Sequence, residues 1–122
     1  MSERKSIIKD KSFVFAIRVV KLYKYLSEIK KEFVLSKQLL RSGTAVGALV
    51  REAQNAESPK DFIHKLAIAQ KECDETIYWL ELLKETEYIN QTDFESLQFS
   101  AIELLKMIRS SILTMKQKTH NS

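Results

Sequence analysis

The sequence is poor in the residues that make turns, since its 122 positions hold two glycines and one proline. Average usage would give about nine glycines and six prolines. All-β sandwiches and Rossmann-type sheets need these residues at their many turns, so the composition argues against both classes. Hydrophobic residues make up 44% of the chain and charged residues 30%, which favours a folded, mostly helical domain over a disordered chain. We expect a single domain over residues 1–122.

The chain also lacks the marks of a secreted or membrane protein. Its one cysteine, Cys73, has no partner for an internal disulfide. No apolar run approaches the roughly 18 residues of a membrane span, and no signal-peptide pattern opens the sequence. We therefore expect a cytoplasmic protein that does not contact a membrane.

Residues that commonly carry catalysis are scarce as well. His64 follows Asp61 by one turn, which resembles half of a di-iron carboxylate site, but no second such motif is present. His120 lies near the end of the chain, and Cys73 falls on an apolar stripe, where cysteine acts as a small hydrophobe. No P-loop, GxGxxG, HExxH or catalytic-triad pattern is found. We expect no enzymatic activity, no cofactor and no metal; a bundle enzyme that binds a small molecule or metal is the least favoured alternative.

Four segments repeat apolar residues at spacings of three and four, which predicts amphipathic helices over about 12–32, 37–56, 59–86 and 93–117. The first stripe ends with Leu26 and Ile29. Ser36, Ser58 and Thr92 are the predicted N-caps of the three later helices. Because the connections are short, successive helices should be antiparallel neighbours. The sequence thus predicts an all-α, up-down-up-down four-helix bundle.

The net charge of +4 is unevenly distributed. Residues 1–60 carry a net +7 and residues 61–122 a net −3, which predicts a basic and an acidic face. A basic face can contact the phosphates of RNA or DNA. The predicted nucleic-acid contacts are Arg18, Lys21, Lys24, Arg41 and Arg51. The alternative is a solvated face with no nucleic-acid role.

Two helices have more apolar surface than a core stripe requires. In the first, Phe13, Ile17 and Val20 project to the far face, where a bundle helix normally carries charge. In the third, Tyr78 and Leu82 also project away from the stripe. We interpret these five residues as a homo-oligomer interface. The alternative for the first helix is that a wide core or the N-terminal segment covers them.

Both glycines, Gly43 and Gly47, lie one turn apart inside the second predicted helix. An interior glycine costs about 0.5–1 kcal/mol relative to alanine, so we expect the pair to permit close packing against another helix. That helix belongs either to the same bundle or to another subunit.

Residues 41–53 (RSGTAVGALVREA) and 56–86 (AESPKDFIHKLAIAQKECDETIYWLELLKET) resemble the bacterial four helix bundle protein family. This family includes proteins encoded by intervening sequences in 23S ribosomal RNA genes, and the chain is also similar to the accessory variability protein of diversity-generating retroelements. The resemblance runs from the aromatic first helix, FVFAIRVVKLYKYL, to the end of the third; the fourth matches only in pattern. Ala45 and Leu49 stand where the family often has serine and asparagine. The polar and aromatic matches are Arg41, Ser42, Arg51, Glu52, Glu72, Glu75, Trp79 and Glu81.

The resemblance implies a bundle assembled into a homo-oligomeric ring, with a pentamer as the best estimate, and no known enzymatic activity. The retroelement relatives imply a basic surface that binds RNA or DNA and a reverse transcriptase. The leading hypothesis is a non-enzymatic, homo-oligomeric binding or scaffold module that contacts nucleic acid through its basic face. The alternative is a structural partner of another protein with no nucleic-acid role.

Overall fold

The computed structural model describes residues 3–121, and the side chains of residues 7–120. Four helices follow one another: α1 over Glu3–Glu28, α2 over Leu35–Gln54, α3 over Pro59–Glu85 and α4 over Gln91–Asn121. Each packs against the next, and α4 returns to α1. The helices are antiparallel; for example, Lys11 reaches Glu103, whereas Arg18, further along α1, reaches Ser96. The predicted all-α four-helix bundle is confirmed.

The first helix begins and ends earlier than predicted. It extends back to Glu3 and stops at Glu28, because Lys31 adopts a left-handed conformation with a φ of 56° that a helix cannot continue through. Ile29 therefore lies outside the helix with 67% of its side chain exposed, and its predicted place on the core stripe is wrong. The ends of the other three helices differ from the predicted ends by no more than four residues.

Only one of the three predicted N-caps is confirmed. The Ser58 hydroxyl accepts from the Asp61 backbone N–H at 3.0 Å at the start of α3. At the start of α4 the Asn90 side chain accepts from Asp93, so the predicted Thr92 cap is wrong. At the start of α2 the predicted Ser36 cap is also wrong, because the carboxylate of Glu32 occupies that role.

Glu32 caps α2 from the connection that precedes it. Its carboxylate oxygens accept from the backbone N–H groups of Val34, Leu35 and Ser36 at 3.1, 3.0 and 2.7 Å. Burial by itself would raise the pKa of Glu32, but these three bonds outweigh it and hold the pKa below its usual value. A carboxylate at this place also complements the positive end of the helix dipole.

The core is built from the predicted stripes, to which the structure adds Leu104 of α4. Most fully buried side chains are apolar, and these come from all four helices: Phe15, Val19, Leu26, Leu39, Val46, Leu80, Leu83, Leu104 and Ile108. Both glycines of α2 face α1. A Cβ at Gly43 would lie 2.8 Å from both methyl groups of Val19, and one at Gly47 would lie 3.2 Å from the Ser12 carbonyl oxygen. Within one chain, the absence of these side chains lets α1 and α2 pack closely.

Over the part of the chain that the structure describes, none of the four helices combines the length and apolarity that a membrane crossing requires.

Candidate interaction surfaces

The predicted phosphate contacts differ in whether the fold already holds their side chains. Arg18 is tied to α4, since it donates to the Ser100 hydroxyl at 3.0 Å and to the Ser96 hydroxyl at 2.7 Å. Arg51 lies with its guanidinium carbon 5.3 Å from the centroid of the Phe13 ring, a cation–π distance. Both arginines therefore stabilise contacts between helices of the bundle.

Arg41 is held by two carboxylates across the α2–α3 interface. It donates to both Glu72 oxygens at 3.1 and 3.2 Å and also to Glu75. Hydrogen bonds to Glu72 are the main cause that raises the pKa of Arg41. The Trp79 indole N–H donates to the same Glu75 carboxylate at 3.1 Å. This network joins four of the polar and aromatic positions that carry the family resemblance, and it leaves Arg41 little free charge.

Two of the other resemblance positions, Ser42 and Glu52, lie at the same interface. The buried hydroxyl oxygens of Ser42 and Thr76 lie 2.9 Å apart, and Lys65 pairs with Glu52 at 3.0 Å. Glu81 is exposed on α3. The resemblance positions therefore serve mainly to join α2 to α3.

Five exposed lysines lie near the connection between α1 and α2. Lys21 and Lys24 are exposed on α1, and neither has an ion-pair partner among residues 7–120. Lys30, Lys31 and Lys37 are exposed along the connection and the first turn of α2. Of the five predicted nucleic-acid contacts, Arg41 is neutralised by carboxylates, and Arg18 and Arg51 are held by uncharged groups of the bundle. Lys21 and Lys24 are the two that the fold leaves without a side-chain partner among residues 7–120.

The predicted interface residues form two separate apolar patches. The α1 patch consists of Phe13, Ile17 and Val20; Phe13 is 52% exposed and Ile17 40%. The α3 patch consists of Tyr78, which is 55% exposed, and the half-buried Leu82. Since α1 packs against α2 and α4, it is diagonal to α3, and the outer faces of α1 and α3 point in opposite directions. The protein therefore has an apolar patch on each of two opposite sides.

A cleft of about 700 Å³ lies at the end of the bundle where the α1–α2 and α3–α4 connections meet. We call it the loop-end cleft. Its lining includes two aromatic rings, three lysines and two carboxylates: Tyr25, Tyr88, Lys21, Lys30, Lys84, Glu87 and Asp93. In the sequence only Lys21 and Tyr25 are placed together, four residues apart on α1, because the other residues come from the two connections and from the adjoining ends of α3 and α4.

At the opposite end, a cavity of about 280 Å³ lies among all four helices, near the starts of α1 and α3 and the ends of α2 and α4. Its lining is mostly apolar and includes Ile8, Val50, Phe62, Leu66 and Met115, with Lys118 contributing an ammonium group. A cavity with this lining offers little convergent polar chemistry.

The two internal side chains considered for catalysis, Cys73 and His64, lie in different surroundings. Cys73 is fully buried and donates to the Ala101 carbonyl at 3.2 Å. Burial, reinforced by the charge of Asp74, raises the pKa of its thiol to about 12. His64 is exposed on α3. Among the residues that the structure describes, no three His, Cys, Asp or Glu side chains are grouped so as to hold a metal ion.

Comparison with known proteins gives two findings. A family model described as 23S rRNA-intervening sequence protein matches residues 4–110. A crystal structure from Bacteroides thetaiotaomicron VPI-5482, of a protein of unknown function from the S23 ribosomal protein family, is 53% identical to this chain. It has a TM-score of 0.88, with 89% of this chain and 97% of that chain covered. The comparison with curated proteins found no match.

Proposed function

Because this chain belongs to the 23S rRNA-intervening sequence protein family and has an apolar patch on each of two opposite sides, we propose that it is a non-enzymatic, homo-oligomeric binding module. Its basic side contacts RNA or DNA. The two patches are the observation that carries this proposal, because large exposed apolar residues mark interaction sites on soluble proteins.

The charges around the two patches support association of unlike surfaces. In the α1 patch the Arg51 guanidinium lies over the Phe13 ring, whereas the α3 patch lies beside the exposed carboxylates of Asp74 and Glu81. The α1 patch of one copy therefore complements the α3 patch of the next in both apolarity and charge. Such head-to-tail contacts produce a closed ring when the rotation closes. The family resemblance makes a pentamer the ring size we propose.

Mass in solution tests the assembly. We expect light scattering at micromolar concentration to give several times the 14.2 kDa of one chain. Phe13→Asp or Ile17→Asp should dissociate the assembly, because each would bury an unpaired carboxylate in the interface. Leu113→Asp is the matched control, since Leu113 is 57% exposed outside both patches. A wild-type monomer at that concentration would overturn the ring.

The nucleic-acid contact rests on the uncompensated lysines. Lys21 and Lys24, together with those around the α1–α2 connection, form the basic area whose charge the fold leaves free. Because phosphate contacts release counterions, affinity for RNA or DNA should fall steeply between about 50 and 200 mM salt. No binding at 50 mM salt would remove this part of the proposal. We place the protein in the cytoplasm, where an unpaired thiol such as Cys73 stays reduced.

A second candidate function, a structural partner of another protein with no nucleic-acid role, is favoured by the outer face of α4. Phe99 is 71% exposed there, and Ile102 and Leu113 are also exposed at helical spacing. An amphipathic segment of another protein would cover such a stripe. Assembly of the wild-type protein without any nucleic-acid binding at 50 mM salt is the result that would favour this candidate.

A further inference from the structure

The loop-end cleft combines the two chemistries that single-stranded nucleic acids use. Tyr25 is 43% exposed, and its ring lies 5.9 Å from the Lys30 ammonium. Tyr88 lines the same cleft from the α3–α4 connection. Aromatic faces stack on unpaired bases, and ammonium groups pair with the phosphates between them. We propose, building on the nucleic-acid contact above, that this cleft binds a single-stranded segment and holds one unpaired base.

The net charge of the cleft fits one nucleotide of a strand. Its three lysines and two carboxylates, Glu87 and Asp93, sum to +1. A nucleotide within a strand has a neutral base and one singly charged phosphodiester, whereas a free phosphate is close to a dianion. The volume of about 700 Å³ is within the range of sites that enclose a small molecule.

The three lysines of the cleft differ in the contacts that they already make within the fold. Lys84 pairs with Glu85 at 3.1 Å and lies 5.4 Å from the Phe94 ring, so the fold already uses part of its charge. Lys30 lies over Tyr25 and is exposed. Lys21 has no ion-pair partner among residues 7–120 and is one turn from Tyr25 on α1. Lys21 and Tyr25 are therefore the phosphate-binding and base-stacking residues to test first.

A duplex cannot use the aromatic rings of this cleft. Bases in a duplex are paired and stacked on both faces, so a base reaches an aromatic pocket only when it is unpaired. The double helix also presents its phosphates without exposed ring faces. The cleft therefore predicts preference for single strands, whereas lysines alone would bind single and double strands according to charge.

Fluorescence anisotropy with a labelled 12-nucleotide RNA and the matching RNA duplex tests the inference on the full-length protein. At 50 mM salt we expect the single strand to bind at least fivefold more tightly than the duplex. Tyr25→Ala and Lys21→Gln should each weaken single-strand binding by about fivefold or more. Tyr25→Phe should restore binding, since a phenylalanine ring still stacks. Thermal unfolding by circular dichroism checks that each variant remains folded.

Two control variants lie outside the cleft. Phe99→Ala removes an exposed aromatic ring on α4, and Lys60→Gln removes an exposed lysine at the opposite end of the bundle. Both should bind the single strand within twofold of wild type. One result would overturn the proposed role of the cleft and leave the nucleic-acid contact in place. In that result, the single strand and the duplex bind equally and in a salt-dependent way, and Tyr25→Ala changes neither affinity. Failure of both RNAs to bind at 50 mM salt would overturn both.

Discussion

At the scale of the residue, Glu32 shows how one side chain directs a turn. Its carboxylate satisfies three backbone N–H groups that the first turn of α2 would otherwise leave unpaired. Sequence rules favour Ser36 for this role, because a serine ahead of an apolar stripe is a common cap. The serine instead lies inside the helix, where its hydroxyl donates to the Glu32 carbonyl at 2.7 Å.

Replacing Glu32 should make the free energy of unfolding depend less on pH in the acid range. Because the folded-state pKa of Glu32 is lowered, its contribution is present above the unfolded-state pKa and is lost as pH falls through the folded value. Glu32→Gln should lower the free energy of unfolding by about 1 kcal/mol at pH 7, and by much less at pH 3. Urea denaturation at both pH values measures this, with Glu28→Gln, at the exposed end of α1, as control. An equal loss at both pH values would contradict the capping role.

The Cys73 thiol should resist alkylation in the folded protein. Because burial raises its pKa to about 12, about one thiol in ten thousand is ionised at pH 8, and the thiolate is the reactive form. We expect iodoacetamide to label the native protein very slowly and the urea-unfolded protein rapidly, as followed by mass spectrometry. Complete labelling of the native protein within minutes would show that α3 opens readily at this position.

At the scale of the element, the close packing of α1 and α2 depends on a missing side chain. A methyl group at Gly43 would press on the fully buried Val19, whereas the same change would improve intrinsic helix propensity. Overpacking typically costs about 1–3 kcal/mol, so the steric cost outweighs the gain of roughly 1 kcal/mol or less.

A double-mutant cycle tests this packing. Gly43→Ala should destabilise the protein by about 1–2 kcal/mol, and Val19→Ala by roughly 2 kcal/mol. The double variant should lose at least about 0.5 kcal/mol less than the sum, because the smaller residue at position 19 makes room for the new methyl group. Urea denaturation of all four proteins gives the coupling energy. Strict additivity would mean that the two positions do not press on each other.

Element type was predictable from the sequence, whereas several element ends were not. Spacings of three and four marked all four helices, since burying one face decides where an amphipathic helix lies. The end of α1 depends on Lys31 in a left-handed conformation, which no residue-type rule indicates for lysine. The Asn90 and Glu32 caps reach across three or four residues from connections whose shape only the folded bundle determines.

At the scale of the whole molecule, the sequence predicted the bundle and its uneven charge, but not which charged side chains find partners within the fold. In the sequence, Arg18, Arg41 and Lys21 are equally good candidates for phosphate contacts, because each is a basic residue on a predicted helix. In the fold, Arg18 bonds to two serines of α4 and Arg41 to two carboxylates of α3, so Lys21 is the one of the three left without a partner among residues 7–120. The loop-end cleft could not be predicted from the sequence either, because the fold brings Tyr25 next to a connection more than sixty residues away.

The three later helices begin with caps of different chemistry, and this determines which helix start should loosen first in acid. The Ser58 hydroxyl and the Asn90 amide do not titrate in acid, whereas the Glu32 carboxylate does. As pH falls below the ordinary range for glutamate, amide hydrogens at the start of α2 should exchange with solvent before those at the starts of α3 and α4. Loosening in acid would therefore begin at the corner beside the loop-end cleft and leave the opposite end of the bundle closed.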